Sequence, residues 1–188
     1  LKSINVSFLG GVSIPGIHAI HPFSTIITGL IQKGGINITG SLRDIQIIRN
    51  GQVMVSLDFY QYIINGDTYK DLRLLDGDVL FVPVRHSTIT IKGAIVRESK
   101  YELLPGETLL DLINYSGGLR SDAHKKISIH RLKTMQEYSP LEPIDDTFYI
   151  DYLINKDFVL QNGDDILIYN ISSSLHEVYI EGQVKSPG

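Results

Sequence analysis

Val6-Ser7-Phe8-Leu9-Gly10-Gly11-Val12 returns as Ile89-Thr90-Ile91-Lys92-Gly93-Ala94-Ile95 and again as Val178-Tyr179-Ile180-Glu181-Gly182-Gln183-Val184. Each copy alternates apolar and polar residues and then closes on glycine, the pattern of a half-buried strand whose last position needs glycine. The first and third copies run on to Pro15-Gly16 and Pro187-Gly188, while the second has Glu98-Ser99 in that place. With the first two copies in register, Pro22 falls on Pro105, Thr25 on Thr108 and Gly34-Gly35 on Gly117-Gly118. After one gap the match resumes as Ile45-x-Ile47-x-Arg49 against Ile127-x-Ile129-x-Arg131. It continues as Leu57-Asp58 against Ile150-Asp151, and as Leu74-x-x-Gly77-Asp78 against Leu160-x-x-Gly163-Asp164. Extra residues around Met135 to Asp146 in the second copy read as a longer hairpin loop on the surface.

Between these landmarks the grammar is strand, turn, strand, short helix, Gly-Gly, strand, hairpin, strand, short helix or loop, and a final strand. The helix is clearest after Pro105, where Leu109, Leu112 and Ile113 form one apolar face, Thr108 or Glu107 caps the start and Gly117 takes the left-handed end. Ile26, Ile27, Leu30 and Ile31 repeat that face in the first copy. Leu74 to Asp78 and Asn162 to Asp165 each read as a turn into a buried strand, the first ended by Pro83. A small mixed sheet around one helix is the β-grasp plan. The expected fold is α+β, with tandem β-grasp modules at 1–86 and 87–172 and the first strand of a third at 173–188.

Composition agrees with such sheets. The 188 residues include 27 Ile, 11 Val and 9 Thr but 3 Ala, which disfavours a helical bundle. A net charge of −4 carries no polybasic field, so nucleic acid is not an expected partner. Zero cysteines remove disulfides, thiolate metal sites and thiol nucleophiles. With no run of 18 apolar residues, this chain is expected not to span a membrane and reads as a soluble piece of something longer.

The strand-Gly-x-Val-x-x-Pro-Gly stretch (Val178 to Gly188), the Pro-Gly-x-Thr-Leu-x-Asp-Leu-Ile helix (Pro105 to Ile113), Gly117-Gly118-Leu119, Ile129-x-Arg131 and Leu74-x-x-Gly77-Asp78 together resemble the SLBB domain, the soluble-ligand-binding β-grasp module. The resemblance covers nearly the whole chain. It implies a periplasmic, non-catalytic role in a bacterial, outer-membrane-associated polysaccharide export protein of the Wza-like type, where tandem copies build rings of a capsule or exopolysaccharide channel. The implied partners are a polysaccharide or oligosaccharide and other subunits of an export complex, with homo-oligomerisation of the full-length protein. SLBB modules also occur in cobalamin-uptake proteins and in a respiratory-complex subunit, so a small soluble-ligand binder that does not assemble is the alternative.

Candidate ligand-binding residues are Gly34, Gly35, Gly117 and Gly118, whose N–H groups could meet a hydroxyl-rich or anionic ligand, and Arg49 and Arg131, which could grip a sugar acid by two hydrogen bonds. Against these stand helix termination by glycine and pairing of each arginine with a carboxylate of its own module. Tyr60, Tyr62, Tyr69, Tyr101 and Tyr115 offer faces for sugar stacking, or close the edge of the core. His18 and His21, and His124 and His130 beside Lys125-Lys126, do not complete a metal set. Acids cluster at Asp145-Asp146, Asp164-Asp165 and Asp76/Asp78, but the repeated Gly-Asp sits in a turn, and no Ser/His/Asp order or cofactor fingerprint accompanies them, so neither catalysis nor a cofactor is expected. The four Asn-x-Ser/Thr sequons, beginning at Asn5, Asn37, Asn114 and Asn170, read as chance in a bacterial chain.

Overall fold

A computed structural model describes residues 2–68, 70–140 and 143–171, and the chain divides into two compact units, Leu1–Ser87 and Thr88–Gly188. The third strand-Gly segment, Val178 to Gly188, lies outside the described residues.

The first unit holds β1 (Ile4–Gly10), β2 (Gly16–Ile20), α1 (Ile26–Gln32), β3 (Ile45–Arg49), β4 (Gln52–Leu57), α2 (Phe59–Asn65) and β5 (Val79–Val82). Its sheet runs β2-β1-β5-β3-β4, with β1 and β5 parallel and the other neighbours antiparallel. The second unit holds β6 (Thr88–Gly93), β7 (Ser99–Glu102), α3 (Leu109–Tyr115), β8 (Ala123–Leu132), β9 (Asp145–Asp151) and β10 (Asp165–Asn170). The order β7-β6-β10-β8-β9, with β6 and β10 parallel, reproduces the first sheet strand for strand. Among the described residues the fold is α+β, two mixed sheets with three helices.

The glycine that closes each repeated strand has a steric cause. Gly10 has φ +77° and Gly93 φ +91°, and a Cβ at either would lie 2.1 Å from a carbonyl oxygen, that of Val82 or of Ile168. The next N–H in each copy, from Gly11 or Ala94, donates to that same carbonyl at 2.7 or 2.9 Å. The strand thus turns away at the point where it touches its parallel neighbour, and a side chain there would force the two apart.

Both central helices are capped alike. The Thr28 hydroxyl accepts from the Thr25 N–H at 2.7 Å, and the Asp111 carboxylate accepts from the Thr108 N–H at 2.8 Å. Each helix buries one apolar face against one side of its sheet. Val6, Phe8, Ile26, Ile45, Ile47, Leu74 and Leu80 sit at the centre of the first core, and Ile89, Ile91, Leu109, Leu112, Ile127, Ile129 and Ile166 at that of the second. At about 1.5–3 kcal/mol per fully buried large apolar side chain, these clusters outweigh every surface ion pair in either unit.

Three expectations need correction or refinement. The strands after Gly77-Asp78 and Gly163-Asp164 are buried on one face, not throughout: Leu80, Val82, Ile166 and Ile168 are inside, whereas Leu167 is exposed. The described helices lie on one side of each sheet, and the side chains on the other side are half-buried or exposed. The long hairpin of the second unit spans 133–144, because Asp145 and Asp146 already belong to β9. After the Leu57 and Ile150 positions the copies part, the first forming α2 capped by Asp58 and the second a turn in which Asp151 accepts from the Leu153 N–H at 2.9 Å.

Candidate functional site

Arg49 ends β3, and its guanidinium meets the Asp78 carboxylate through two hydrogen bonds of 2.7 and 2.8 Å. Arg131 on β8 meets Asp164 the same way, both at 2.7 Å. Both aspartates are fully buried. Each also accepts a backbone N–H, from Leu75 at 2.8 Å or Gln161 at 2.9 Å, and so holds the turn that precedes the last strand. The paired carboxylate raises both arginines above their ordinary pKa, chiefly through the side-chain hydrogen bonds. A buried carboxylate needs a partner of this kind. Arg49 and Arg131 therefore face a carboxylate of their own unit, and their paired donors are occupied.

The four candidate glycines all adopt positive φ, between +78° and +94°. Their N–H groups are spent on the helix ends: Gly34 donates to Ile31 and Gly35 to Leu30, and Gly117 donates to Asn114 and Gly118 to Ile113, at 2.8–3.2 Å. The carbonyls of Gly35 and Gly118 accept from Ser13 and Val96, tying the helix end to the strand-turn of the repeat. In each unit the arginine clamp and the glycine pair occupy separate places, one at the turn before the last strand and one at the end of the helix. Gly35 also lines an apolar cleft of about 160 Å³ formed with Ile27, Leu30, Ile31, Leu42, Ile45 and Phe59.

Of the five candidate tyrosines, Tyr69 lies outside the described residues. Arg43 covers the Tyr60 ring at 4.6 Å, and Tyr62 stacks on Phe59 at 5.9 Å. The Tyr101 hydroxyl donates to the Arg97 carbonyl at 3.1 Å and the Tyr115 hydroxyl to Glu107 at 2.6 Å. The acid pairs do not act as pairs: Asp76 accepts from the Asn5 N–H, Asp165 meets Lys92, and Asp145 meets His130. Among the described residues no three His, Asp or Glu side chains gather as a metal site. No described helix is long and apolar enough to cross a membrane.

One group of side chains escaped sequence reasoning. On β8, Ile127 and Ile129 point into the core, so Lys126 and Ser128 stand on the outer face. Cross-strand register places Tyr149 opposite Ser128. The Lys126 ammonium sits 4.9 Å from the Tyr149 ring centre and 5.8 Å from that of Tyr169 on β10. With His124, Lys125, Ile150 and Asp151, Lys126 and Tyr149 line an open groove of about 270 Å³. Lys125 pairs with Asp151 at 3.1 Å, and the Lys125 hydrogen bond holds that carboxyl below its ordinary pKa. The sequence signal was available only through pairing: Lys126 and Tyr149 meet because the hairpin register brings them together.

Both units build the same strand order, the same capped helix and the same buried Arg–Asp clamp, which defines a repeated small-sheet module. Residues 88–144, which lie in the second unit, match the SLBB domain family. Two curated relatives from Escherichia coli, each called polysialic acid transport protein KpsD, are 23% identical to this chain over 169 residues, which is 89% of the chain and 28% of either relative. The chain thus spans little more than a quarter of the length of the relatives it matches.

Proposed function

We propose that this chain is a tandem pair of β-grasp modules, 1–86 and 87–172, with 173–188 opening a third, inside a polysaccharide export protein. The role is non-catalytic: the modules serve as periplasmic ring scaffold and as a surface that the exported polymer touches, in a homo-oligomer associated with the outer membrane. The observation that carries this reading is the repeated framework, across which the likeness to polysialic acid transport proteins runs through both units. The charged groups that a hydrolase would set facing each other are instead spent on the Arg–Asp clamps and turns, which favours a scaffold. A scaffold of stacked small modules also suits domains of this size, which gain stability by covering one another's apolar surface.

Deleting both units from the full-length protein in its source cell is expected to abolish surface polysaccharide, whereas unchanged polymer export would remove the proposal. Assembly is a separate question. Sedimentation velocity of the full-length protein is expected to show mass rising with concentration toward a closed ring. A second reading, a soluble-ligand binder that does not assemble, is favoured by the apolar cleft beside Gly35 and predicts a monomer at every concentration.

A further inference from the structure

The two modules agree closely in what holds them together and disagree sharply on the outer face of the sheet. Because Ile45 pairs with Leu57 as Ile127 pairs with Ile150, Lys126 corresponds to Asp44, and Tyr149 to Ser56. Because Gly10 pairs with Val82 as Gly93 pairs with Ile168, Tyr169 corresponds to Pro83. In the first module Asp44 is satisfied within the module, accepting from Gln46 at 2.6 Å and Ser56 at 2.5 Å. The second module puts in its place a lysine flanked by two tyrosines, and no carboxylate among the described residues lies within salt-bridge distance of it.

The groove holds two lysines and a histidine against one carboxylate, Asp151, which stands across the strand pair from Lys126 and is bonded by Lys125. Lys126 offers an ammonium with donors and no acceptor. The His124 Nδ1 accepts from the Lys126 N–H at 3.0 Å, so the neutral ring carries its proton on Nε2, a second donor with no partner among the described residues. The neighbouring cation, Lys125, is already neutralised by Asp151. Tyr149 is 57% exposed and presents a flat face. Exposed cation–π contacts contribute little to folding, so stability does not account for this arrangement. A ligand that fits it carries an anion for Lys126, further oxygen acceptors for His124 and an apolar ring face for tyrosine, which together describe an acidic pyranose.

We propose that the outer face of the second sheet, at Lys126 with His124, Tyr149 and Tyr169, binds a carboxylate-bearing sugar residue of an acidic polysaccharide. This rests on the export reading and gives the polymer a chemical class. The first module, with Asp44 in the equivalent position, repels the same group, so a chain of acidic sugars would be held at one module and not at its neighbour.

The test is a heteronuclear NMR titration of this chain with oligosialic acid and with oligogalacturonate, each beside its carboxyl-reduced counterpart. Saturable shifts at Lys126, Tyr149 and Tyr169 with at least one of the acids are expected. Carboxyl reduction or Lys126→Gln should each weaken that binding roughly tenfold or more, as loss of a charge-assisted hydrogen bond does. Tyr149→Ser should weaken it several-fold, and in both variants unchanged amide dispersion elsewhere would show an intact fold. Absence of shifts with both acids, equal binding of the reduced sugars, or shifts confined to other surfaces would overturn this site. The deletion experiment above judges the export role independently, so loss of polymer export without binding here would remove the site and leave the scaffold.

Discussion

Arg49 with Asp78 in the first module and Arg131 with Asp164 in the second form the same two-pronged bond around a fully buried carboxylate. Asp44 and Lys126, which occupy equivalent places on the opposite side of the sheet, carry opposite charges. Repetition therefore marks what the fold requires, and divergence between copies marks where a module is free to acquire a partner. A residue type that recurs at the same place in both modules, as arginine does at the end of β3 and on β8, is explained first by packing and polar satisfaction. The outer face, which no described helix covers, is one of the places where the copies differ.

The sharpest way to break the equivalence of the frameworks is at the strand-ending glycines. Gly10→Ala and Gly93→Ala each place a Cβ 2.1 Å from a carbonyl oxygen at positive φ, so each is expected to cost its own module about 4 kcal/mol or more. Hydrogen exchange resolved by module measures this, and a module that tolerates its alanine would show that the two close contacts are not equivalent. Next in size, Arg49→Met and Arg131→Met leave a buried carboxylate with backbone donors alone, at a cost of about 2–4 kcal/mol each. Similar losses in both modules are expected in urea unfolding followed by module-specific NMR signals.

A third pair of variants should separate the modules. Arg43, whose side chain is 1% exposed, bonds Asp58 at 2.9 Å, whereas its counterpart Lys125 is 60% exposed beside Asp151. Arg43→Ala is expected to cost about 2–4 kcal/mol by the logic of a broken buried pair, and Lys125→Ala about 0–1 kcal/mol. Equal effects would mean that burial does not set the difference. The smallest expected effect is in acid. Asp151 titrates below its ordinary value in the folded protein, so its contribution is present above that ordinary value and fades as pH falls through the lower folded one. Lys125→Ala should move the Asp151 midpoint upward in a carbon-detected carboxyl titration.

Much of the framework was legible because it is local or repeated. Capping threonines and glycine pairs lie within a few residues of the groups they bond, the alternation of β1 and β6 is contained in one short strand each, and the second copy served as a check on the first. The Arg–Asp clamps join residues 29 and 33 positions apart, and the sequence offered them only as separate motifs, an arginine at a strand end and an aspartate in a turn. Their joint recurrence in both copies was the clue that would have linked them. The Lys126–Tyr149–Tyr169 face was not legible in this way, because it depends on hairpin register and on a strand that arrives from 43 residues away. It also has no counterpart in the first copy, so self-similarity pointed away from it. The four described tyrosines singled out from sequence, Tyr60, Tyr62, Tyr101 and Tyr115, lie instead along helices and an edge strand, where most complete the packing.

The two kinds of ionic contact also differ in what the surrounding medium can do to them. Dissolved ions screen exposed charges over about 10 Å at 0.1 M salt but barely reach a carboxylate sealed beneath its own turn. Rising ionic strength is thus expected to loosen an acidic polymer from Lys126 while the buried Arg–Asp clamps keep both modules folded. Salt alone would in this way set the strength of the proposed grip on an acidic polymer without unfolding the modules that provide it.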